Sequence, residues 1–140
     1  MEYHFKFYKE EIGYSGECVE LKGALSEGDT MEELKYNFAE ALNLYLDEPE
    51  GSDVLFPLPK KSVKGRNILK IPVEPQIALA MLVRQARVKN KLTQAKVASQ
   101  MKIPLYSYQR LENSKTANPE WKTLVKLKKV FPKLNFNLAA

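Results

Sequence analysis

One histidine, His4, and one cysteine, Cys18, are all that this 140-residue chain offers of the side chains that most often carry nucleophilic or metal chemistry. A single pair cannot fill the four ligand positions of a structural zinc site, and no Ser-His-Asp or Cys-His relay can be built except from that pair. The simplest reading of His4 is a polar position on a strand, and of Cys18 a small half-buried hydrophobe with no partner for an internal disulfide. Carboxylates remain, and metal-assisted hydrolysis needs several of them converging from strand ends and a helix. Glu2 stands at the extreme start of the first strand. Glu17 and Glu20, three apart on one strand, face opposite sides, and Glu33, Glu40 and Asp47 read as the solvated face of a helix. The expectation is therefore no enzyme, with no catalytic residue, cofactor or metal.

Charge points elsewhere. The net charge of +5 hides a steep asymmetry. Residues 1–53 hold 4 Lys/Arg against 14 Asp/Glu, net −10. Residues 54–74 hold 5 against 1, net +4, and residues 75–140 hold 13 against 2, net +11. Such polarity suits two modules with different partners, the second of them polyanionic. An apolar content of 44% with 28% charged residues excludes collagen, low-complexity and polyelectrolyte classes. No apolar run approaches the roughly 20 residues of a membrane span, and no basic segment leads into an apolar one, so a cytoplasmic protein is expected.

The elements that must position these groups follow from periodicity. Tyr3, Phe5 and Phe7 alternate with His4, Lys6 and Tyr8, a strand pattern of period two. A turn at residues 9–13 leads to a second strand over 14–20, and a short third strand is expected over 24–27. Thr30 and Glu33 form an S/T-x-x-E capping box. The helix it opens spaces Met31, Leu34, Phe38, Ala41, Leu42, Tyr45 and Leu46 by three and four and ends near Asp47. Residues 1–53 thus read as an α+β domain, a small antiparallel sheet under one helix. Residues 54–74 read as a linker with a short strand over 68–73, in which Pro72 requires an edge or a strand end. That strand either returns to the first sheet or pairs with a second chain.

Residues 75–140 read as an all-α bundle. Pro75 suits a helix start, and that helix runs to about residue 90. Thr93 caps a short helix holding Ala95, Val97, Ala98 and Met101. A third helix spans 105–112. Asn118-Pro119 is expected to open a fourth, carrying Trp121, Leu124, Val125 and Leu127, and residues 134–138 a terminal strand or turn.

Two short helices three or four residues apart inside such a bundle describe a helix-turn-helix. Leu92-Thr93-Gln94, Val97-Ala98, Ile103, Arg110-Leu111-Glu112-Asn113, Lys115-Thr116 and Pro119 resemble the phage-repressor/Cro type of DNA-binding domain over about 60 residues. The resemblance implies that Leu105, Tyr106 and Arg110, with Ser107 and Gln109 beside them, meet base edges. It places Thr93, Gln94, Asn113 and Lys115 at phosphate-contacting positions, and it pairs Glu112 with Arg87 as a structural ion pair. An arginine so placed reads guanine bidentately, and apolar groups meet thymine methyls. The run Lys102-Ile103-Pro104 departs from the family, which usually has glycine first in the turn. Either Lys102 is left-handed, at a cost of roughly 1–2 kcal/mol, or the turn adjusts. Ser114 likewise replaces a common glycine.

The N-terminal half has its own resemblance. Gly13-Tyr14, Glu20-Leu21-Lys22-Gly23, Gly28-Asp29-Thr30 with Glu32-Glu33, and Glu40-Ala41-Leu42 are similar to the HicB antitoxins, many of which carry a C-terminal helix-turn-helix. Ser15 stands where that family often has an aromatic residue. The resemblance implies a partial ribonuclease-H-like fold that neutralises a small basic mRNA-cleaving toxin of the HicA type. It also implies that the basic half represses its own operon by binding double-stranded operator DNA. A −10 surface suits a basic partner and a +11 surface suits DNA. Charge and position suggest Tyr14, Glu17 and Glu20 for the toxin. A stand-alone repressor with a sensing front domain is the alternative. One helix-turn-helix reads half a site, so a homodimer or higher oligomer is expected, through strand 68–73 or residues 134–138.

Overall fold

The computed structural model describes residues 1–139, an α+β protein. Among the described residues are four strands in one antiparallel sheet and five α-helices. The aromatic alternation forms β1 (Glu2–Lys9), which turns back through residues 10–13 into β2 (Tyr14–Cys18). Gly13 closes that turn at φ +76°, where a side chain would be strained and would strike Gly28 and Asp29. β3 (Leu25–Gly28) extends the sheet beyond β2, and α1 (Met31–Leu46) follows. The Thr30 half of the capping box forms as expected, Glu33 N–H donating to Thr30 Oγ1 (3.1 Å), while the Glu33 carboxylate accepts from the N–H of Asp29 (3.0 Å), one residue before the cap.

β4 (Ile68–Pro72) answers the question the sequence leaves open. It pairs with β1 of its own chain, Tyr3 opposite Ile71 and Phe5 opposite Leu69, giving the order β3-β2-β1-β4. Pro72 sits at the strand's end on the sheet edge. Tyr3, Phe5, Cys18 and Ile71 are buried, as are Leu34, Phe38, Leu42 and Leu46 of α1. The Phe5 and Phe38 rings meet at 4.4 Å. Gly16 makes room for that helix, since a β-carbon there would lie 2.7 Å from Phe38 Cζ.

The helical part begins with α2 (Pro75–Lys89), followed by α3 (Gln94–Met101), α4 (Leu105–Gln109) and α5 (Trp121–Val130). The expected helix over 105–112 is shorter, because its last turn, Arg110–Glu112, tightens to a 3₁₀ turn. The fourth helix starts two residues later than Asn118-Pro119 suggests. Glu120 is its N-cap, extended and without a side-chain cap, and Trp121 is 78% exposed. Residues 134–138 hold a 3₁₀ turn, Phe136–Leu138, not a strand.

The chain divides into two compact units, and their bounds differ from 1–53, 54–74 and 75–140. The first is Met1–Leu46 with Phe56–Glu74, and the second is Asp47–Leu55 with Pro75–Ala140. Residues 56–74 of the expected linker thus belong to the first unit, since β4 completes its sheet and Tyr3 Oη donates to Pro57 O at 2.7 Å. The acidic end of the N-terminal half belongs to the second. This redistributes the charge: the first unit carries 9 basic and 11 acidic residues, net −2, and the second 13 and 6, net +7. The −10 and +11 segments of the sequence therefore do not coincide with the two units.

Candidate nucleic-acid interface

An arginine on the buried side of a helix must find acceptors, because a buried guanidinium without them is prohibitively costly. α2 carries two such residues on one side. Arg87, 4% exposed, donates from Nε to Glu112 Oε2 (2.7 Å) and from an Nη to Glu112 Oε1 (2.9 Å), a bidentate pair whose carboxylate is fully buried. Hydrogen bonding and the charge of Glu112 raise the guanidinium pKa against the opposing effect of burial. The pair ties the 3₁₀ turn after α4 to α2. Tyr108 is buried beside it, and burial together with the Glu112 charge raises its phenol pKa.

Sequence reasoning misses the second arginine. Arg84, 1% exposed, donates from one Nη to Glu112 O (3.1 Å), Glu48 O (3.3 Å) and Pro49 O (3.4 Å). Its pKa is lowered, chiefly by desolvation. Its position three residues before Arg87 on an apolar helix is a signal in the sequence, but nothing there marks backbone carbonyls of residues 48 and 49 as its acceptors.

α3 and α4 form the helix-turn-helix pair. Thr93 Oγ1 accepts from Lys96 N–H at 3.1 Å and caps α3, as expected from its position. Lys102 ends α3 in the left-handed region at φ 57°. Its N–H donates to Ser99 O and the N–H of Ile103 to Ala98 O, both at 3.1 Å, so a lysine occupies the position that this helix ending usually gives to glycine. Lys91 does the same after α2, at φ 56°. Pro104 opens α4 without a side-chain cap, and its carbonyl accepts from Ser107 and Tyr108 N–H. Of the residues able to face inward, Val97, Ala98, Tyr108 and Leu111 are buried and Ile103 is half-buried.

The outward side carries the candidate DNA residues. Leu105 is 42% exposed, Tyr106 67%, and Arg110 is exposed at the far end of α4. Ser107 and Gln109 are half-buried. Gln109 Nε2 donates to Gln94 Oε1 at 3.3 Å, joining a base-reading candidate to a phosphate-contact candidate. Asn113 Oδ1 accepts from Lys115 N–H at 3.0 Å, which organises the turn and leaves the lysine side chain exposed.

The three toxin candidates do not share a surface. Tyr14 is on the α1 side of β2, with Lys9 Nζ 4.4 Å from its ring centre, while Glu17 is on the opposite side and exposed. Glu20 lies past the strand's end and its carboxylate is buried. It accepts from His4 N–H (3.0 Å) and Lys60 N–H (3.1 Å), and meets His4 Nδ1 at 2.8 Å. His4 is itself buried, so Glu20 is not the surface group that strand alternation suggests. Cys18 is buried as well, and its thiol pKa is pushed up to about 11 by burial.

The carboxylates weighed for hydrolysis are dispersed. Glu20 holds His4, Glu33 caps α1, and Asp47 accepts from Ser114 Oγ at 2.5 Å. Among the described residues no three His, Cys, Asp or Glu side chains are grouped to hold a metal ion. Among the same residues no helix is long and apolar enough to cross a membrane. Compared with protein-family models and with curated protein sequences, the chain matches none.

Proposed function

We propose that this chain is a DNA-binding antitoxin of the HicB kind. Its second unit binds operator DNA and represses its own operon, and its first unit binds and neutralises a small basic mRNA-cleaving toxin of the HicA type. The observation that carries the DNA half is the Arg87–Glu112 clamp, which fixes a short helix whose exposed side presents Leu105, Tyr106 and Arg110 together. In this reading Arg110 reads a base edge, Gln94, Thr93 and Lys115 hold phosphates, and no catalytic step or cofactor is involved. The protein acts in the cytoplasm and as a dimer, because two half-sites one DNA turn apart require two heads.

For the toxin half, the support is the sequence resemblance together with an acidic hollow lined by Glu10, Glu27, Asp29 and Glu33 beside the exposed Ile12. Co-expression with the product of a short neighbouring reading frame tests it: a stable complex with that basic protein and relief of its toxicity are expected, and no complex contradicts it. A second reading, a stand-alone repressor whose first unit receives another signal, gains from that unit's charge of only −2. Repression that persists unchanged without any neighbouring gene favours it.

A further inference from the structure

Residues 47–55 are a nine-residue excursion whose roots lie in the first unit and whose bonds lie in the second. At the roots Leu46 is buried and the Tyr45 and Phe56 rings meet at 5.6 Å. Between them the segment makes its own turn: Ser52 N–H donates to Pro49 O (3.2 Å), Ser52 Oγ to Glu48 Oε2 (2.8 Å), and Val54 N–H to Ser52 Oγ (3.1 Å). The helical part of the second unit holds it through Arg84 on Glu48 O and Pro49 O, Arg87 on Ser52 O (3.2 Å) and Asp53 Oδ1 (3.2 Å), and Ser114 on Asp47.

Two features place this segment against the DNA-contacting end of α3. Gly51 lies on the Gln94 amide, since a β-carbon built on it would be 3.8 Å from Oε1 and 3.9 Å from Nε2. Gln94 Nε2 is buried and has no hydrogen-bond partner, an unmade bond that a phosphate oxygen would supply. The segment also brings Asp47, Glu48, Glu50 and Asp53 and no basic residue, which lowers the second unit from +11 to +7. Counterion release makes DNA affinity fall steeply as phosphate-facing positive charge is cancelled.

We propose that Asp47–Leu55 is an autoinhibitory strap: docked, it covers the Gln94 amide and weakens the positive field of the helix-turn-helix, and its displacement raises DNA affinity. The inference rests on the DNA-binding reading. Three full-length proteins test it, with anisotropy of a labelled duplex taken from upstream of the gene and a random duplex as reference. In a Cys18→Ala background, Asp47→Cys with Ser114→Cys places two thiols where the side chains now touch, and oxidation pins the strap. Glu50→Gln with Asp53→Asn strips exposed strap charge while keeping the backbone bonds. Glu11→Gln with Glu40→Gln makes the same change in net charge within the first unit.

The pinned protein is expected to bind roughly fivefold or more weaker when oxidised than when reduced. The strap-neutralised protein is expected to bind several-fold tighter than its charge-matched control. Equal affinity of oxidised and reduced forms, or of strap-neutralised and control proteins, overturns the strap alone. Binding by none of them, wild type included, overturns the DNA-binding reading and the strap with it.

Discussion

Arg87 and Glu112 face each other through two hydrogen bonds of 2.7 and 2.9 Å, with the carboxylate 0% and the arginine 4% exposed. Both are charged groups removed from water, so their value lies in holding the turn after α4 on α2 rather than in large net stabilisation. Removing Glu112 leaves the buried Arg87 guanidinium with the exposed Asp53 as its only carboxylate, beside the Ser52 and Leu92 carbonyls. Glu112→Ala is expected to destabilise the second unit by about 3–5 kcal/mol in urea unfolding, whereas the double change Arg87→Met with Glu112→Leu costs far less. A Glu112→Ala loss below about 1 kcal/mol contradicts this account of the pair.

Lys91 and Lys102 both sit in the left-handed region as helix-ending residues, at φ 56° and 57°. A β-carbon is disfavoured there by roughly 1–2 kcal/mol, and glycine returns most of that after its larger unfolded-chain entropy is deducted. Lys91→Gly and Lys102→Gly should each raise stability by about 1 kcal/mol, read from the urea midpoint at constant slope. A destabilised Lys102→Gly protein would show that the lysine side chain holds the turn in some other way.

The buried thiol of Cys18 makes a prediction with a definite sign. Its pKa is raised from 9.0 to about 11, so the folded protein keeps a proton that the unfolded chain gives up. Unfolding then releases protons, and the contribution to stability is complete below about pH 9 and lost as pH rises toward 11. Cys18→Ala should flatten the fall of the urea midpoint between those values, while Tyr3 and Tyr108, whose phenol pKa values are raised too, keep part of the slope. An unchanged slope contradicts the assignment, as does rapid labelling of native Cys18 by a maleimide at pH 8.

Much of this fold is legible in the sequence because its signals are local. The Tyr3/Phe5/Phe7 alternation, the Thr30/Glu33 box, Pro75 and Thr93 each declare themselves within a few residues, and the elements they mark are present. The left-handed Lys102 is one of the two outcomes that the resemblance leaves open, and the structure decides between them. What is hidden depends on distant partners. His4 reads as a polar position on a strand, and it is buried with its ring against the Glu20 carboxylate, which also accepts from Lys60 N–H. The acidic run 47–53 reads as the tail of the first domain, and belongs to the second because Arg84 and Arg87 need its carbonyls. Glu20 reads as a surface acid because alternation assigns a face but cannot know what crosses it.

The central claim is that the second unit reads operator DNA through the exposed side of α4. Its most direct test is the binding of full-length protein, wild type and Arg110→Ala, to the duplex upstream of its own gene and to a random duplex over a range of salt concentrations. Wild-type binding to the upstream duplex is expected to be tight and to weaken linearly in log–log form with salt. Arg110→Ala should lose about 1–3 kcal/mol of preference for that duplex while keeping nearly all its binding to the random one. Wild-type affinity that is equal for the two duplexes, or unmoved by Arg110→Ala, contradicts it.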